Sequence, residues 1–436
     1  MRSNKTTTER YCSGNRGGIA SRLGRNLIDD RRGSIAIIFG MTLTIVVSLV
    51  GASVDYARWH SARSQTLRAM DAAVLAGGRQ LLLNKTAEEA KQVARTYYDQ
   101  NKAKFLSVDS VTFTVNSAGT EMTAVSASKV NTPMLSVAGV PDLPINETAR
   151  AKLETGANAG QSVEIAMMLD TTGSMAGRRM VALKQAAIDL VNIVVWQDQS
   201  QFTSRVAIVP FAPYVNVGRD AFEDVTNKSP KGNSDNRTCV KERSNGNRYT
   251  DKAPNSSNGY FNPYTNKSAC NPQAVLLPLT NDKQKLQNRI NEMQPSGMTA
   301  GHLGTQWAWY ALSPNFKDIW PSASEPQSYS LLNEMNDHNQ PKLQKVAVLM
   351  TDGEYNEWYS GSSSTTQARQ FCENMKEKGI IVYTIGFELS NWGDAKQTLR
   401  QCATGEDFFY DASDDETLRN AFRDIALKIA TLRLTQ

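Results

Sequence analysis

Between Arg32 and Asp55 the chain carries no charge: Ser34 to Val54, SIAIIFGMTLTIVVSLVGASV, is 21 residues without Asp, Glu, Lys or Arg. A water-soluble surface does not tolerate such a run, and at 1.5 Å per residue it matches a hydrocarbon core of about 30 Å. The flanks orient it. Residues 1–33 hold eight Lys or Arg against three acids, which accounts for the whole net charge of +5. The positive-inside rule then predicts a basic cytoplasmic tail at 1–33, a single transmembrane anchor at 34–54 and all that follows on the far side. A cleaved signal peptide would show a shorter apolar core, about 7–15 residues, before a small-x-small site. The rest of the chain is neutral, so no basic face for a nucleic acid is expected.

The cysteines agree with this placement. Cys12 falls on the reducing side, whereas Cys239, Cys270, Cys372 and Cys402 form an even set in an oxidising compartment. Three pairings are open, and proximity favours Cys239–Cys270 with Cys372–Cys402. A mean hydropathy of -0.43 with 21% charged residues excludes a polytopic membrane protein. Three histidines in 436 residues argue against a histidine-rich zinc site.

Beyond the anchor, residues 55–155 read as a stem. Leu67, Met70 and Val74 mark a helical face, and Thr86-Ala-Glu-Glu89 is a capping box that opens a second helix near Ala87. Val111-Thr-Phe-Thr-Val115 and Met122-Thr-Ala-Val-Ser126 alternate like strands around a turn at 117–119. A helix that continues outward and packs on a small sheet is a pilin-like plan. Gly156-Ala-Asn-Ala-Gly160 reads as a linker. From 161 to 436 the pattern is α/β: apolar strands at 162–170, 205–211, 345–350 and 380–387, and a short last one at 407–410. They alternate with helices at 178–195, 368–378 and a terminal one capped by Ser413-Asp-Asp-Glu416. Strands apolar on both faces and spaced by helices predict a doubly wound parallel sheet. Residues 227–271 break the pattern with ten Asn and no Ile, Leu or Met, and predict a surface insertion that supplies no core.

The chemistry gathers at strand ends. In a doubly wound sheet ligands bind beyond the carboxyl ends of the strands. The first strand runs into Asp170-Thr-Thr172-Gly-Ser174, a later one into Thr351-Asp352-Gly353, and Thr299 stands before another helix. Two carboxylates and three hydroxyls from separate loops are hard oxygen donors, suited to Mg²⁺ or Mn²⁺. Two carboxylates balance the ion, and an open coordination position can seat a partner's carboxylate.

These residues carry two resemblances. The segment 161–436 resembles a von Willebrand factor type A domain, and Asp170-x-Thr172-x-Ser174, Thr299 and Asp352 match its metal-ion-dependent adhesion site. The resemblance implies that Ser174, Thr172 and Thr299 are hydroxyl ligands and that Asp170 and Asp352 bind directly or through water. Thr172 departs from the Ser usual in the family; the hydroxyl is kept, and the added methyl lowers the expected affinity. Arg31-Arg-Gly-Ser-Ile-Ala-Ile-Ile-Phe39, Val54-Asp-Tyr56, Met70-Asp-Ala-Ala-Val-Leu-Ala76, Val209–Gly218 and Leu432-Arg-Leu-Thr435 are similar to TadG-like Flp (tight-adherence) pilus assembly proteins. That second resemblance implies a bacterial inner-membrane protein with a periplasmic A-type domain. It also implies a role in assembling or anchoring an adhesive pilus in a Gram-negative envelope, with envelope or pilus-assembly proteins as partners; no enzymatic activity is expected.

Rival assignments are weaker on chemical grounds. Asp170-x-Thr172 resembles the aspartyl-phosphate motif of haloacid dehalogenase-type phosphotransferases, but these need an Asp two residues on as general acid. His302 beside an apolar helix reads as a packed residue and Trp307 and Trp309 as core or rim, while Glu354 is either a member of the metal shell or, the favoured reading, solvated. A crest that binds no metal, or a cell-envelope adhesin, is the alternative function.

Overall fold

The computed structural model describes residues 33–435, apart from 83–84, 118, 120, 154–159, 197–198, 231–236, 244–245, 267–268, 338, 391–392 and 431. The basic tail up to Arg32, with Cys12, and the linker 156–160 apart from Gly160 lie outside these. Two compact units are present. The first comprises Met1–Ala69, Asn101–Thr112 and Val125–Glu147, and the second Met70–Gln100, Phe113–Ala124 and Thr148–Gln436.

Helix α1 (Gly33–Leu82) is one unbroken element of 50 residues. It takes in the expected anchor and the first stem helix. Its first half turns apolar side chains outward, with Ile35 71%, Phe39 64% and Leu49 64% exposed. Among the described residues this helix is long and apolar enough to cross a membrane. Helix α2 (Ala87–Asn101) starts at the expected capping box: the Thr86 N–H donates to Glu89 Oε2 at 2.9 Å and the Glu89 N–H to Thr86 Oγ1 at 3.2 Å.

Six short strands follow: β1 (Leu106–Val108), β2 (Val111–Val115), β3 (Glu121–Ser126), β4 (Ser128–Asn131), β5 (Asp142–Ile145) and β6 (Thr148–Leu153). In the first unit β1, β4 and β5 form an antiparallel sheet, and Val130 and Ile145 bury against Ala62 and Ala103. In the second unit β6, β3 and β2 adjoin, with Tyr98 of α2 edge-on to Phe113 at 6.2 Å.

The remainder of the second unit is built on a nine-stranded sheet. Its parallel part has the order β8 (Ser204–Phe211), β7 (Ser162–Asp170), β13 (Leu343–Thr351), β14 (Ile381–Phe387), β15 (Phe409–Ala412). All nine residues of β7 are buried, because each face is covered. Val163, Ile165, Met167 and Leu169 pack under α3 (Arg178–Val194), α5 (Lys283–Glu292) and α9 (Asp415–Ile429); Ala166 and Met168 pack on the other side against α6 (Gly301–Tyr310) and α7 (Ser364–Glu377). This period of two assigns alternate side chains to opposite cores, each buried Val, Leu, Ile or Met contributing about 1.5–3 kcal/mol. Trp307 and Trp309 lie wholly in the second of these cores.

Four details differ from the sequence expectation. The insertion 227–271 does supply core. β10 (Cys239–Arg243) pairs with β9 (Val215–Asn216), β11 (Phe261–Pro263) pairs with β10, and Val240 and Phe261 are buried, the latter ring 4.9 Å from Trp307. Two apolar residues at the right register suffice at a sheet edge, where only one neighbour must be covered. The domain expected to run to 436 gives up its end: β16 (Leu432–Thr435) pairs antiparallel with β6, satisfying what would be an open sheet edge. The last helix is capped one residue later than expected. Asp414 Oδ1 accepts from the Thr417 N–H at 2.8 Å, and Thr417 Oγ1 accepts from the Asp414 N–H at 3.0 Å. Residues 406–408 form a 3-10 turn, which moves the last parallel strand to 409–412. Both favoured disulfides, Cys239–Cys270 and Cys372–Cys402, are formed.

Candidate metal centre

Strand β7 has β8 on one side and β13 on the other, so the chain reverses its direction of travel along the sheet between β7 and β13. The crevice at the carboxyl ends of such a pair is where an open α/β sheet can accept a ligand. Asp170 is the last residue of β7, and Asp352 follows the last residue of β13. From Asp170 the chain turns through a 3-10 segment at Gly173–Met175, and Gly177 at φ 76° feeds it into α3. A side chain at that left-handed position would be strained.

Four of the five expected site residues meet by hydrogen bonds. Ser174 Oγ donates to Asp352 Oδ1 at 2.6 Å and lies 2.9 Å from Thr172 Oγ1. Asp170 Oδ1 accepts from the Thr172 N–H at 2.8 Å, and Asp170 Oδ2 from the Thr351 hydroxyl at 2.6 Å. Thr299 stands apart from this chain. Its loop joins the turn through backbone, with the Ser296 N–H donating to Thr171 O at 2.8 Å and the Gly173 N–H to Gly297 O at 2.9 Å. Its own N–H is held by Asn356 Oδ1 at 2.9 Å, and its hydroxyl makes no hydrogen bond among the described residues.

Charge tests the fit to a cation. Arg179 bridges Asp352 Oδ2 at 2.9 Å and Glu388 Oε2 at 2.7 Å, and Arg178 joins the same Glu388 to Asp415. Two guanidiniums thus face three carboxylates, of which Asp415 is exposed, whereas buried Asp170 has no ion-pair partner among the described residues, which leaves an excess of negative charge at the crest. An all-oxygen donor set with that excess fits a hard divalent cation. Among the described residues no group of three or more His, Cys, Asp or Glu is placed to hold a metal, so hydroxyls would have to complete any such site.

Comparison with known proteins identifies two segments of the chain. Residues 33–80 match the Flp pilus-assembly TadE/G-like family, and residues 324–424 match the von Willebrand factor type A domain. The chain joins a TadE/G-like segment to a von Willebrand factor A domain. No curated protein matches it. Among solved structures, the von Willebrand factor domain of the type V pili tip protein Mfa5 from Porphyromonas gingivalis is similar at 13% identity and a TM-score of 0.37. That match covers 62% of this chain and 95% of the other. The adhesive tip pilin GBS104 from Group B Streptococcus agalactiae is similar at 12% identity and a TM-score of 0.35, over 62% of this chain and 100% of the other. Proximal thread matrix protein 1 of the mussel byssus is similar at 15% identity and a TM-score of 0.33, over 64% of this chain and 49% of the other.

Within the A domain the family match includes Asp352 but stops short of Asp170, Thr172, Ser174 and Thr299, which the sheet order brings to the same crest. Sequence reasoning missed three residues there. Thr351 holds Asp170, Arg179 holds Asp352, and Glu388 sits at φ 50°, a left-handed conformation uncommon outside glycine, with its carboxylate between Arg178 and Arg179. The adjacent Arg178-Arg179 pair, at the start of the helix that follows Asp170, was the available signal. Glu354 caps a helix rather than facing only solvent: its Oε2 accepts from the Ala395 N–H at 2.8 Å at the start of α8 (Asp394–Cys402). His302 is packed, as expected, but within a buried polar string, Nδ1 2.7 Å from Ser364 Oγ and Nε2 2.9 Å from Glu242 Oε1.

Burial, with the neighbouring Asp352 carboxylate second, pushes Asp170 up to about 6. Burial also raises Asp352. A carboxyl whose folded-state pKa is raised contributes most to stability below its unfolded value and loses that contribution as pH rises through the folded one. In a chelating buffer, wild-type stability should therefore fall relative to Asp170→Asn as pH rises from about 4 through about 6. Thermal melts of the two proteins across that window check it. A gap that stays constant with pH would show Asp170 to be unstrained.

Proposed function

We propose that this chain is a single-pass inner-membrane protein, N-terminus in the cytoplasm, whose periplasmic A domain binds partners through Mg²⁺ or Mn²⁺. Its role would be the assembly or anchoring of a Flp/Tad-type adhesive pilus. The observation that carries the proposal is the buried Asp170–Asp352 crest, linked through Thr172 and Ser174, in which Arg179 pairs with Asp352 and Asp170 has no ion-pair partner among the described residues. Asp170, Thr172, Ser174, Thr299 and Asp352 would hold the ion. A bound divalent ion supplies positive charge and an open coordination position that a carboxylate of an envelope or pilus-assembly protein can fill. Thr351 and Arg179 keep the two aspartates aimed at the crevice. The TadE/G-like segment, the exposed apolar half of α1 and the basic residues before it support the anchor and its orientation.

The test is calorimetric titration of the full chain in detergent with MgCl₂ and MnCl₂, beside Asp170→Ala. One-site binding in the wild type and none in the variant is the expected result; equal heats in both would end the proposal. One contact favours a second, structural function, in which Arg179 is the crest's resident cation and no metal enters. Arg179→Gln separates the two. If a metal binds, Mg²⁺ restores the melting temperature that the variant loses in chelator; in a metal-free crest it restores nothing.

A further inference from the structure

The hairpin between β4 and β5 ends in Thr132-Pro-Met-Leu-Ser-Val-Ala-Gly-Val-Pro141, ten residues without a charge. Its side chains face outward: Val137 is 90% exposed, Met134 56% and Val140 39%. The hairpin lies along α1, and its contacts advance steadily toward the apolar run. Glu147 pairs with Arg63, Pro144 O accepts from Trp59 Nε1 at 2.9 Å, and Asp55 Oδ2 accepts from the Met134 and Leu135 N–H groups, each at 2.7 Å. Closer still to the tip, a Cβ on Gly51 would stand 2.9 Å from Met134 Cβ. Helix positions 63, 59, 55 and 51 are one turn apart, about 6 Å each. The tip therefore reaches the level at which the uncharged run 34–54 ends. Tyr56 and Trp59, with ring centroids 5.5 Å apart, stand at the same level, where aromatic side chains favour a membrane–water boundary.

The tip's backbone suits that boundary, where unsatisfied polar groups are costly. The Ser136 N–H donates to Thr132 O, Gly139 to Ser136 O and Val140 to Leu135 O; the Thr132 N–H donates to Pro141 O and its hydroxyl to Val140 O. Buried Asp55 takes the two N–H groups at the start of the short helix 135–138.

We propose that residues 133–140 dip into the interface of the same bilayer that holds 34–54, as a second, non-spanning membrane contact that fixes the stem against the membrane surface. The inference rests on the anchor reading of α1. The occupant is lipid because the tip is uncharged, internally hydrogen-bonded and level with the end of the spanning run.

The experiment uses the full chain with Cys12→Ser, which removes the one cysteine outside the two disulfides. It is reconstituted in phosphatidylcholine vesicles and labelled with an environment-sensitive fluorophore at Val137→Cys, Val46→Cys or Val181→Cys. Lipids carrying a nitroxide near the head of the acyl chain are then added. A blue-shifted emission strongly quenched at Val137, weaker quenching at Val46 in the middle of the spanning run and none at Val181 on the A domain is the expected result. Quenching at Val46 without quenching at Val137 would overturn the inference and leave the anchor standing. No quenching at either would overturn both. A blue shift at Val137 without lipid quenching would mean that a second copy of the chain covers the tip, and would also overturn it.

Discussion

Replacing Glu164 by alanine should cost the A domain about 3–5 kcal/mol, the loss typical of stripping one partner from a buried ion cluster. Glu164 lies mid-sheet on β7, with Arg205 beside it on β8 and Lys345 beside it on β13. Its carboxylate takes Arg205 Nη2 at 2.5 Å, Lys345 Nζ at 2.5 Å and the Gln327 N–H at 3.0 Å, and both Glu164 and Lys345 are fully buried. Burial already lowers the Lys345 pKa, and Glu164 is what opposes that shift. Without Glu164 the ammonium keeps the Leu312 carbonyl at 2.8 Å and the Tyr329 ring at 5.6 Å but no counter-charge, so it must shed its proton or drag water into the sheet. Urea unfolding of wild type, Glu164→Ala and the double variant Glu164→Leu/Lys345→Met checks this. The double variant should recover part of the loss, because the fully buried ammonium is gone and Arg205, 13% exposed, keeps the Ala323 and Glu325 carbonyls. A loss below about 1 kcal/mol in Glu164→Ala would put the cluster in the class of exposed pairs.

The second large effect is expected at Cys239–Cys270. Serine at both positions should lower stability by about 3–4 kcal/mol, given the 31-residue separation that the bond closes. The consequence is structural as well as entropic. Cys239 opens β10, whose register on β9 sets Cys239 against Asn216 and Val240 against Val215, and Phe261 of β11 enters the core through that strand. With the bond gone, the edge strands should fray before the parallel sheet does. Amide exchange read at Val240 and Phe261, beside thermal melts of the double variant, measures it. Unchanged exchange and an unchanged melting temperature would mean that strand pairing alone secures the insertion.

Much of the architecture was legible because it rests on local repetition. An uncharged run long enough for a bilayer, period-two burial in β7, and helices opening at Thr86 or Arg178 are written in neighbouring residues. Asp170 and Asp352 were legible as a pair for a related reason: both end strands, and parallel strands of one sheet end at one edge. The Asn-rich insertion misled because composition averages over 45 residues, whereas its contribution to the core comes from Val240 and Phe261 at particular registers.

Sequence by itself thus determined the spanning-length helix, the α/β alternation and the candidate crest residues, and favoured one of three disulfide pairings, which the structure then decided. Only the tertiary structure decided that Glu164 stands between Arg205 and Lys345, and that Arg179 reaches Asp352 while Thr299 does not join the hydrogen-bonded chain. It also decided that β16 returns to β6 and that an uncharged hairpin tip lies level with the end of the apolar run. The division has one physical reason. Hydrophobic periodicity is a property of consecutive residues, whereas the pairing of charges and edges depends on strand register and on which loops the sheet brings together.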